Sequence, residues 1–304
     1  MTHFIFISTA RLLLLSCALF TGMAQSQPRP ATAPEALKDI QPAGQACLRN
    51  EAAIKPNLIN GRAASVPDMT CLIVAQEAGL LVKAGQVTVV DTRTSLEHAQ
   101  FHINSALNMP TAEVIYKTQL RNKPIVLVGN GKLDRELYST CTDLKAKGFN
   151  SVKVLQGGMP AWVASGQSVI GNAPSAQQLR RLESSDLFAE SQFAANLLVV
   201  TPSEAPLQSQ FGLAVAAAQD TPDALKQLLD RRRLESKGAV NNAVVLVTSP
   251  KTSQATLAQW QKAADPLPLL VYSEGTVSYQ RYLADQKAVW VAQAQGPKQP
   301  ACGQ

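Results

Sequence analysis

Short apolar runs that alternate with helix-forming segments constrain this chain more than any other feature. Three such runs are VTVVDTR from Val87, KPIVLVGNG from Lys123 and SVKVLQGG from Ser151, and each leads into a segment with helical spacing. Runs this apolar are typical of strands buried on both faces. Because strands that alternate with helices pack as a parallel sheet covered by helices, the sequence predicts an α/β fold. It also predicts a helix over residues 66–85, ahead of the first run.

The same order of strands and helices recurs in the second half, with the runs NLLVVT, AVVLVT and PLPLLVYSEG. Aligned landmarks pair Val89-Val90 with Val199-Val200, Gly129 with Thr248, and Gly158 with Gly275. Turn residues keep their order along with the apolar runs, so we interpret the second half as a diverged duplicate of the first. Chance similarity between two α/β segments is the alternative.

The N-terminus has the pattern of a targeting segment. Arg11 precedes LLLLSCALF, an apolar run of nine residues that matches a signal-peptide core and is too short to span a bilayer. Gly22 and Ala24 form a small-x-small cleavage site, which predicts a signal peptide over residues 1–24, cut after Ala24. A lipoprotein box ending at Cys17 is the weaker alternative. We expect a periplasmic or secreted protein without stable membrane insertion.

Composition favours a folded chain and argues against a nucleic-acid partner. A hydrophobic content of 46% supports packed cores. The formal net charge of +6 is spread along the chain, and its one tight basic run, Arg231 to Arg233, is flanked by acidic residues. That pattern is typical of a solvated helix face. Residues 25–60 are rich in Pro, Ala, Gln and Asn, which indicates a linker or an irregular extension.

Four cysteines remain after signal cleavage: Cys47, Cys71, Cys141 and Cys302. Four cysteines allow three complete pairings, and in an oxidising compartment we predict a Cys47–Cys71 bridge. The sequence has no CxxC, and its mature part holds only two histidines, His98 and His102. We therefore expect neither a metal site nor another cofactor.

Two stretches of the first half resemble the rhodanese-like family. The stretch VVDTRTSLEHAQFHINSALNMP is similar to the family's first strand and the turn after it, and KGFNSVKVLQGGMPAWVASGQSV is similar to its closing segment. The matching residues are Asp91, Arg93, Glu97, His102, Ile103, Ala106, Asn108, Gly148, Phe149, Val152, Gly157, Gly158, Trp162 and Gly166. The resemblance implies two three-layer domains, each a mostly parallel sheet flanked by helices. Their predicted ranges are 61–170 and, for the degenerate copy, 185–295, with a linker at 171–184 and a tail at 296–304.

The resemblance also shows where this chain departs from a catalytic member. Active members carry a Cys at the end of the strand before the site loop, and its thiolate carries sulfane sulfur as a persulfide. Here that position is Gly129, and in the second half it is Thr248. Phe101 and the pair Asn104-Ser105 are further departures, at positions where the family usually has Gly and Pro-Gly. No catalytic residue is therefore predicted.

The loop GNGKLDR has two interpretations once its nucleophile is missing. Backbone N–H groups at a helix N-terminus bind anions whatever the side chains, so the loop is either a vestigial anion site or a structural turn. The candidate ligand-binding residues are Gly129, Asn130, Gly131, Lys132, Leu133, Asp134 and Arg135. A P-loop is excluded because Gly131-Lys132 is followed by Leu133 and Val126 occupies the earlier Gly position.

The other residues shared with the family are expected to be structural. Asp91 and Arg93 follow the first strand and are expected to pair with neighbours that order the loop, His102 organises hydrogen bonds, and Trp162 packs in the core with its indole N–H bonded. Leu137, Cys141 and Leu144 form an apolar stripe, which predicts a buried structural Cys141.

Taken together, the sequence predicts an exported, non-catalytic rhodanese-like protein that binds a periplasmic protein or a small anion. The alternative is a sulfurtransferase or thiol-redox enzyme that uses Cys141 or Cys302.

Overall fold

The computed structural model describes residues 66–212, 215–216, 219, 221–235 and 241–294, with backbone alone at 215–216, 233–235 and 292–294. All of these residues belong to one compact unit, 51–296. Several predicted features lie outside the described residues: the signal peptide at 1–24, the extension at 25–60 with Cys47, and the tail with Cys302. Within the described part of the chain, no helix is both long and apolar enough to cross a membrane.

The first half is a parallel five-stranded sheet with helices on its faces. Its strands are β1 (Leu72–Ile73), β2 (Thr88–Asp91), β4 (Leu107–Asn108), β5 (Ile125–Val128) and β6 (Val152–Leu155), in the order β1-β6-β5-β2-β4. Its helices are α1 (Ala75–Lys83), α2 (Ser95–Gln100), α3 (Thr111–Val114), α4 (Asp134–Ala146) and α5 (Gly158–Ala164). A separate antiparallel pair joins β3 (Phe101–His102) to β7 (Ile170–Gly171). The predicted α/β class is confirmed.

The second half is built in the same way. Its strands are β8 (Arg181–Leu182), β9 (Leu197–Val200), β10 (Val215–Ala216), β11 (Val244–Val247) and β12 (Leu269–Tyr272), in the order β10-β9-β11-β12-β8. Its helices are α6 (Ala176–Leu179), α7 (Ser184–Glu190), α8 (Pro222–Glu235), α9 (Gln254–Ala264) and α10 (Thr276–Ala294). All strand pairs in this sheet are parallel. Counted along the chain, both sheets have their strands in the order 1-5-4-2-3.

The strand registers correct one of the aligned landmarks. Asp91 pairs with Val128 in the first sheet, and Val200 pairs with Val247 in the second. If β5 and β11 are equivalent, Asp91 therefore corresponds to Val200, and the gapless alignment of Val89-Val90 with Val199-Val200 is one residue out of register. A duplication remains a prediction, and the shared strand order favours it.

Two segments differ from their predicted form. The helix predicted over residues 66–85 is interrupted, because Leu72–Ile73 pairs with β6 as the edge strand β1 and only residues 75–83 are α-helical. The segment 171–184, predicted as a linker, contains α6 and β8. Strand β8 pairs with β12, so the second sheet already begins at Arg181.

Core packing follows the apolar runs. Strands β5, β9, β11 and β12 are buried at every position, as expected for strands covered on both faces. On α4, the buried residues include Leu137, Cys141 and Leu144, the three residues of the predicted apolar stripe. That helix therefore packs its inner face against the first sheet.

The predicted Cys47–Cys71 bridge is wrong. Cys71 is bonded to Cys141, and both side chains are fully buried. Cys71 ends the short 3-10 turn Met69–Cys71 just ahead of β1, and this turn packs against α4 and β6. The bridge therefore joins the start of the first sheet to the inner face of α4.

Candidate functional site

The loop that follows β5 has a constrained backbone. Gly129 is buried at the end of the strand, and Gly131 has a φ of +78°. Leu133, which precedes the first residue of α4, is left-handed with a φ of +60°. The Asn130 side chain accepts a hydrogen bond from the Lys132 N–H at 3.0 Å. A left-handed non-glycine residue is uncommon, and neighbouring contacts must hold it in place.

The segment after β6 packs directly on this loop. The Met159 N–H donates to the Gly129 carbonyl at 3.0 Å, and the Gly157 N–H donates to Oδ2 of Asp134 at 3.0 Å. Gly158 has a φ of +51°, and a Cβ there would collide with the Gly129 carbonyl. The glycine pair therefore allows two backbone segments to touch, which fixes the shape of the loop.

Helix α7 of the second half covers the same loop. A Glu190 carboxylate oxygen accepts a hydrogen bond from the Leu133 N–H at 2.5 Å. Asp186, one turn earlier on α7, forms an ion pair with the Lys132 ammonium at 2.6 Å. A backbone N–H and a cation that would suit an anionic ligand are thus already bonded to carboxylates of the same chain.

Beneath this contact, a buried polar network joins the two halves. The Tyr138 hydroxyl donates to Asn242 at 3.0 Å, the Asn242 amide donates to Asn196 at 3.2 Å, and the Asn196 amide donates to Glu190 at 2.6 Å. The Gln156 amide also donates to the Asn242 carbonyl, at 2.6 Å. Each of these side chains is at least nine-tenths buried, so the hydrogen bonds are needed to offset the loss of water.

Two carboxyl groups of this network have raised pKa values. Burial raises the pKa of Asp134 to about 6, against hydrogen bonds from Gly157 and Asn242 that lower it. Burial raises the pKa of Glu190 to about 7, and the nearby charge of Asp134 adds to that effect. Burial also raises the pKa of the Tyr138 hydroxyl, which remains a donor to Asn242 at neutral pH.

At Gly129, the position predicted to correspond to the family's catalytic cysteine, the chain has no side chain. A Cβ on Gly129 would lie 2.8 Å from Cδ1 of Leu137, the end of a flexible side chain. The sulfur of Cys141 lies on the inner face of α4 and is bonded to Cys71. The structure therefore does not bring a free thiol of a described cysteine to the loop.

The equivalent loop of the second half also has no sulfur. Thr248 follows β11 and is buried, and its hydroxyl lies 2.9 Å from the hydroxyl of Thr252. Ser249 accepts a hydrogen bond from the Lys251 N–H at 3.2 Å, within the same turn. Both hydroxyls thus take part in local turn contacts.

The predicted structural residues lie around the sheet of the first half. Arg93 bonds both oxygens of Asp91, at 3.0 and 2.6 Å, and donates to the Phe101 carbonyl at 2.7 Å. His102 Nδ1 lies 2.8 Å from the His98 carbonyl oxygen. The Trp162 ring is buried, and its indole N–H donates to the Ser168 carbonyl at 2.9 Å. These contacts order the turns next to β2 and α5.

Among the candidate loop residues, the structure brings Lys132, Leu133 and Asp134 into contact with the second half or its network. Arg135 is exposed on α4. Sequence reasoning missed the partners of these residues: Asp186, Glu190, Asn196 and Asn242. Glu190 had a weak signal, because it lies three residues after the buried Leu187 and therefore shares the inward face of α7.

The fold and the loop define a class of α/β domain, and one comparison assigns its family. Residues 74–165 match the family described as Rhodanese-like domain. That range holds the helices α1 to α5, the loop at 129–133 and the glycine pair. The predicted resemblance to the rhodanese-like family is thus confirmed over residues 74–165. The chain has no match among curated proteins.

Several solved structures are similar to parts of the chain. The Alr3790 protein from Anabaena sp. shares 25% identity with a TM-score of 0.30, over 33% of this chain and 82% of that one. A rhodanese-related protein from Thermoplasma volcanium shares 25% identity with a TM-score of 0.29, over 33% and 97%. The thiosulfate sulfurtransferase from Pseudomonas aeruginosa shares 14% identity with a TM-score of 0.30, over 70% of this chain and 42% of that one.

Proposed function

We propose that this protein is an exported, non-catalytic rhodanese-like protein that acts by binding a partner. The observation that carries the proposal is the end of β5, where Gly129 stands in place of a sulfur-carrying side chain and the neighbouring Leu133 N–H is bonded to Glu190. Sulfur transfer of the rhodanese type needs a thiolate. Glycine has no side chain to form a persulfide, and the hydroxyl of threonine cannot form one.

A protein partner is favoured over a small anion. An anion bound in the loop would use backbone N–H groups and nearby cations. The Leu133 N–H and the Lys132 ammonium already bond Glu190 and Asp186. A small anion would have to displace two carboxylates that the chain itself holds in place.

Two features support export. The buried Cys71–Cys141 bridge is of the kind that persists in oxidising compartments. The N-terminal sequence has the charge, apolar length and small residues of a signal peptide. A periplasmic location is proposed on these grounds.

The alternative is an enzyme that uses a cysteine at another position. The structure argues against Cys141 in that role. A nucleophilic cysteine needs an accessible thiolate, and the Cys141 sulfur is fully buried and bonded to Cys71. Cys302 is the remaining candidate for that alternative.

A steady-state assay with thiosulfate as donor and cyanide as acceptor tests the proposal. Purified protein lacking residues 1–24 is expected to release no thiocyanate above the rate without protein. The matched control is Cys302→Ser, which should give the same background. Turnover in the parent protein that is lost in Cys302→Ser would overturn the proposal and support the enzyme alternative.

A further inference from the structure

Two buried carboxyl groups meet at the contact between α7 and the loop. Asp134 is 1% exposed and Glu190 is 2% exposed. Glu190 bonds the loop through Leu133, and Asp134 bonds the Gly157 N–H. The Asn196 and Asn242 amides connect the two groups, with Asn242 3.5 Å from Oδ2 of Asp134. One half of the chain contributes Asp134 and the other contributes Glu190.

The lysine of the loop does not bond either carboxyl group of this pair. Lys132 is the cation of the loop, and its ammonium bonds Asp186. The other titratable group within the network is the Tyr138 hydroxyl, which donates to Asn242. Arg135 and Glu136, the next charged residues on α4, are exposed. Oδ1 of Asp134 is buried without a hydrogen-bond partner among the described residues. An unpaired buried carboxylate oxygen is costly when it carries charge.

We propose that Asp134 and Glu190 form a proton-controlled latch that holds α7 against the loop at 129–133. When the pair holds a proton, only one charge is buried, and the amides and the Leu133 N–H can stabilise it. When both groups are ionised, two like charges share a buried site, and the contact between α7 and the loop weakens. The proton sits on the pair as a unit, because buried groups that interact titrate together.

The direction of the pKa shifts agrees with this latch. Burial raises the pKa of Asp134 to about 6 and that of Glu190 to about 7. Groups whose pKa is raised by docking stabilise the docked state at low pH and lose that effect as pH rises through the raised values. The latch is therefore closed in mildly acidic conditions and loosens above neutrality.

Opening the latch releases the Leu133 N–H and the Lys132 ammonium from α7, so that both become available to an acidic group of a protein partner. That consequence rests on the proposed binding function, whereas the latch itself does not. A failed latch test would leave the sulfur-transfer assay unaffected, and turnover in that assay would leave the latch intact.

Hydrogen–deuterium exchange with mass spectrometry tests the latch on the whole mature protein. Peptides that cover residues 129–137 and 184–190 are compared at about pH 5 and about pH 8, with labelling times scaled to the intrinsic exchange rate. One pKa unit corresponds to a factor of about 10 in an equilibrium constant, so we expect protection of both peptides to fall at least about 10-fold at the higher pH.

Two neutral variants and one control test whether the pH dependence of protection comes from Asp134 and Glu190. Glu190→Gln and Asp134→Asn each remove one charge of the pair and should each reduce the pH dependence of protection. Glu136→Gln removes an exposed charge from the first turn of the same helix and should behave like the parent protein. Two variants are used so that a failure of one to fold leaves the other informative. Equal protection at both pH values in the parent, or unchanged pH dependence in a folded pair variant, would overturn the latch.

Discussion

The carboxylate of Glu190 accepts a hydrogen bond from the backbone N–H of Leu133, 57 residues earlier in the chain. Leu133 directly precedes α4, and backbone N–H groups at a helix N-terminus can bind anions. The second half of the chain thus places its own carboxylate at that point. This contact holds the loop after β5 against α7 of the second half.

Gly129→Cys should not by itself create a sulfur carrier. Its side chain fits if Leu137 rotates, since Gly129 lies outside the left-handed region and the clash is with a side-chain end. The thiolate would attack the outer sulfur of thiosulfate, and sulfite would leave with the electrons of the broken S–S bond. The neighbouring Glu190 carboxylate opposes the negative persulfide product.

Removing the Glu190 charge should therefore uncover activity in that background. We expect Gly129→Cys with Glu190→Gln to gain one sulfur atom from thiosulfate by intact mass spectrometry. Gly129→Cys with Glu136→Gln is the matched control and should remain unmodified. Equal sulfur uptake by the two double variants would show that Glu190 does not block the site.

The disulfide should contribute substantially to stability. The bridge joins residues separated by 70 positions, and the chain-entropy estimate for a loop of that size is about 4 kcal/mol. Replacing Cys71 and Cys141 together by Ser should lower the free energy of unfolding in urea by roughly that amount. The parent protein in excess dithiothreitol should follow the same unfolding curve as the variant under the same conditions. A peptide map that links Cys71 to Cys47 would contradict the pairing.

Two glycine substitutions should separate backbone strain from backbone contact. A Cβ on Gly158 would collide with the Gly129 carbonyl, whereas a Cβ on Gly85 has open space around it. Both residues have positive φ, at +51° and +65°. Gly85→Ala should therefore cost about 1 kcal/mol of stability from strain alone, and Gly158→Ala about 3 kcal/mol or more. Similar losses in urea unfolding would contradict the close contact.

Stability should fall as pH rises from about 4 to about 7. Asp134 and Glu190 have raised pKa values of about 6 and about 7 in the folded protein, so they bind more protons folded than unfolded across that window. The expected loss is on the order of 5 kcal/mol for the two groups together, measured by urea unfolding at several pH values. Asp68 has the opposite sign, because its hydrogen bond with Lys145 lowers its pKa to about 2. Its stabilising effect is constant across this window and is lost only as pH falls below about 4.

Asp134→Asn should make this stability profile shallower between about pH 4 and 7, because the amide does not titrate and only Glu190 still does. Glu136→Gln, on the exposed side of α4, should leave the profile unchanged. A profile with the same slope in Asp134→Asn and the parent would assign the effect to other groups.

Local sequence patterns predicted the α/β class because each strand and helix is encoded within a few residues. The buried run Ile125–Val128 and the stripe of Leu137, Cys141 and Leu144 are examples. The edge strand Leu72–Ile73 was missed because two residues are too few to show the alternating hydrophobic pattern of a strand, and the residues around them have helical spacing. Its strand form depends on pairing with β6.

Local sequence patterns could not predict the contacts between segments that are distant along the chain. Cys141 was expected to be buried, but its partner depends on β1 lying at the sheet edge, where the turn before it meets α4. Glu190 is a single acidic residue on a short helix, and only its spacing from Leu187 marks it as inward-facing. Its partner, the Leu133 N–H, is a backbone group that every residue type except proline offers.

The most direct test of the central claim is whether the protein takes up sulfur at all. The mature protein is incubated with excess thiosulfate, and its intact mass is measured without reductant. Because we propose that Gly129 and Thr248 occupy the two positions of the family's cysteine, and Cys141 is held in the bridge to Cys71, we predict an unchanged mass. The gain of one sulfur atom on a cysteine, removed again by cyanide, would contradict the account.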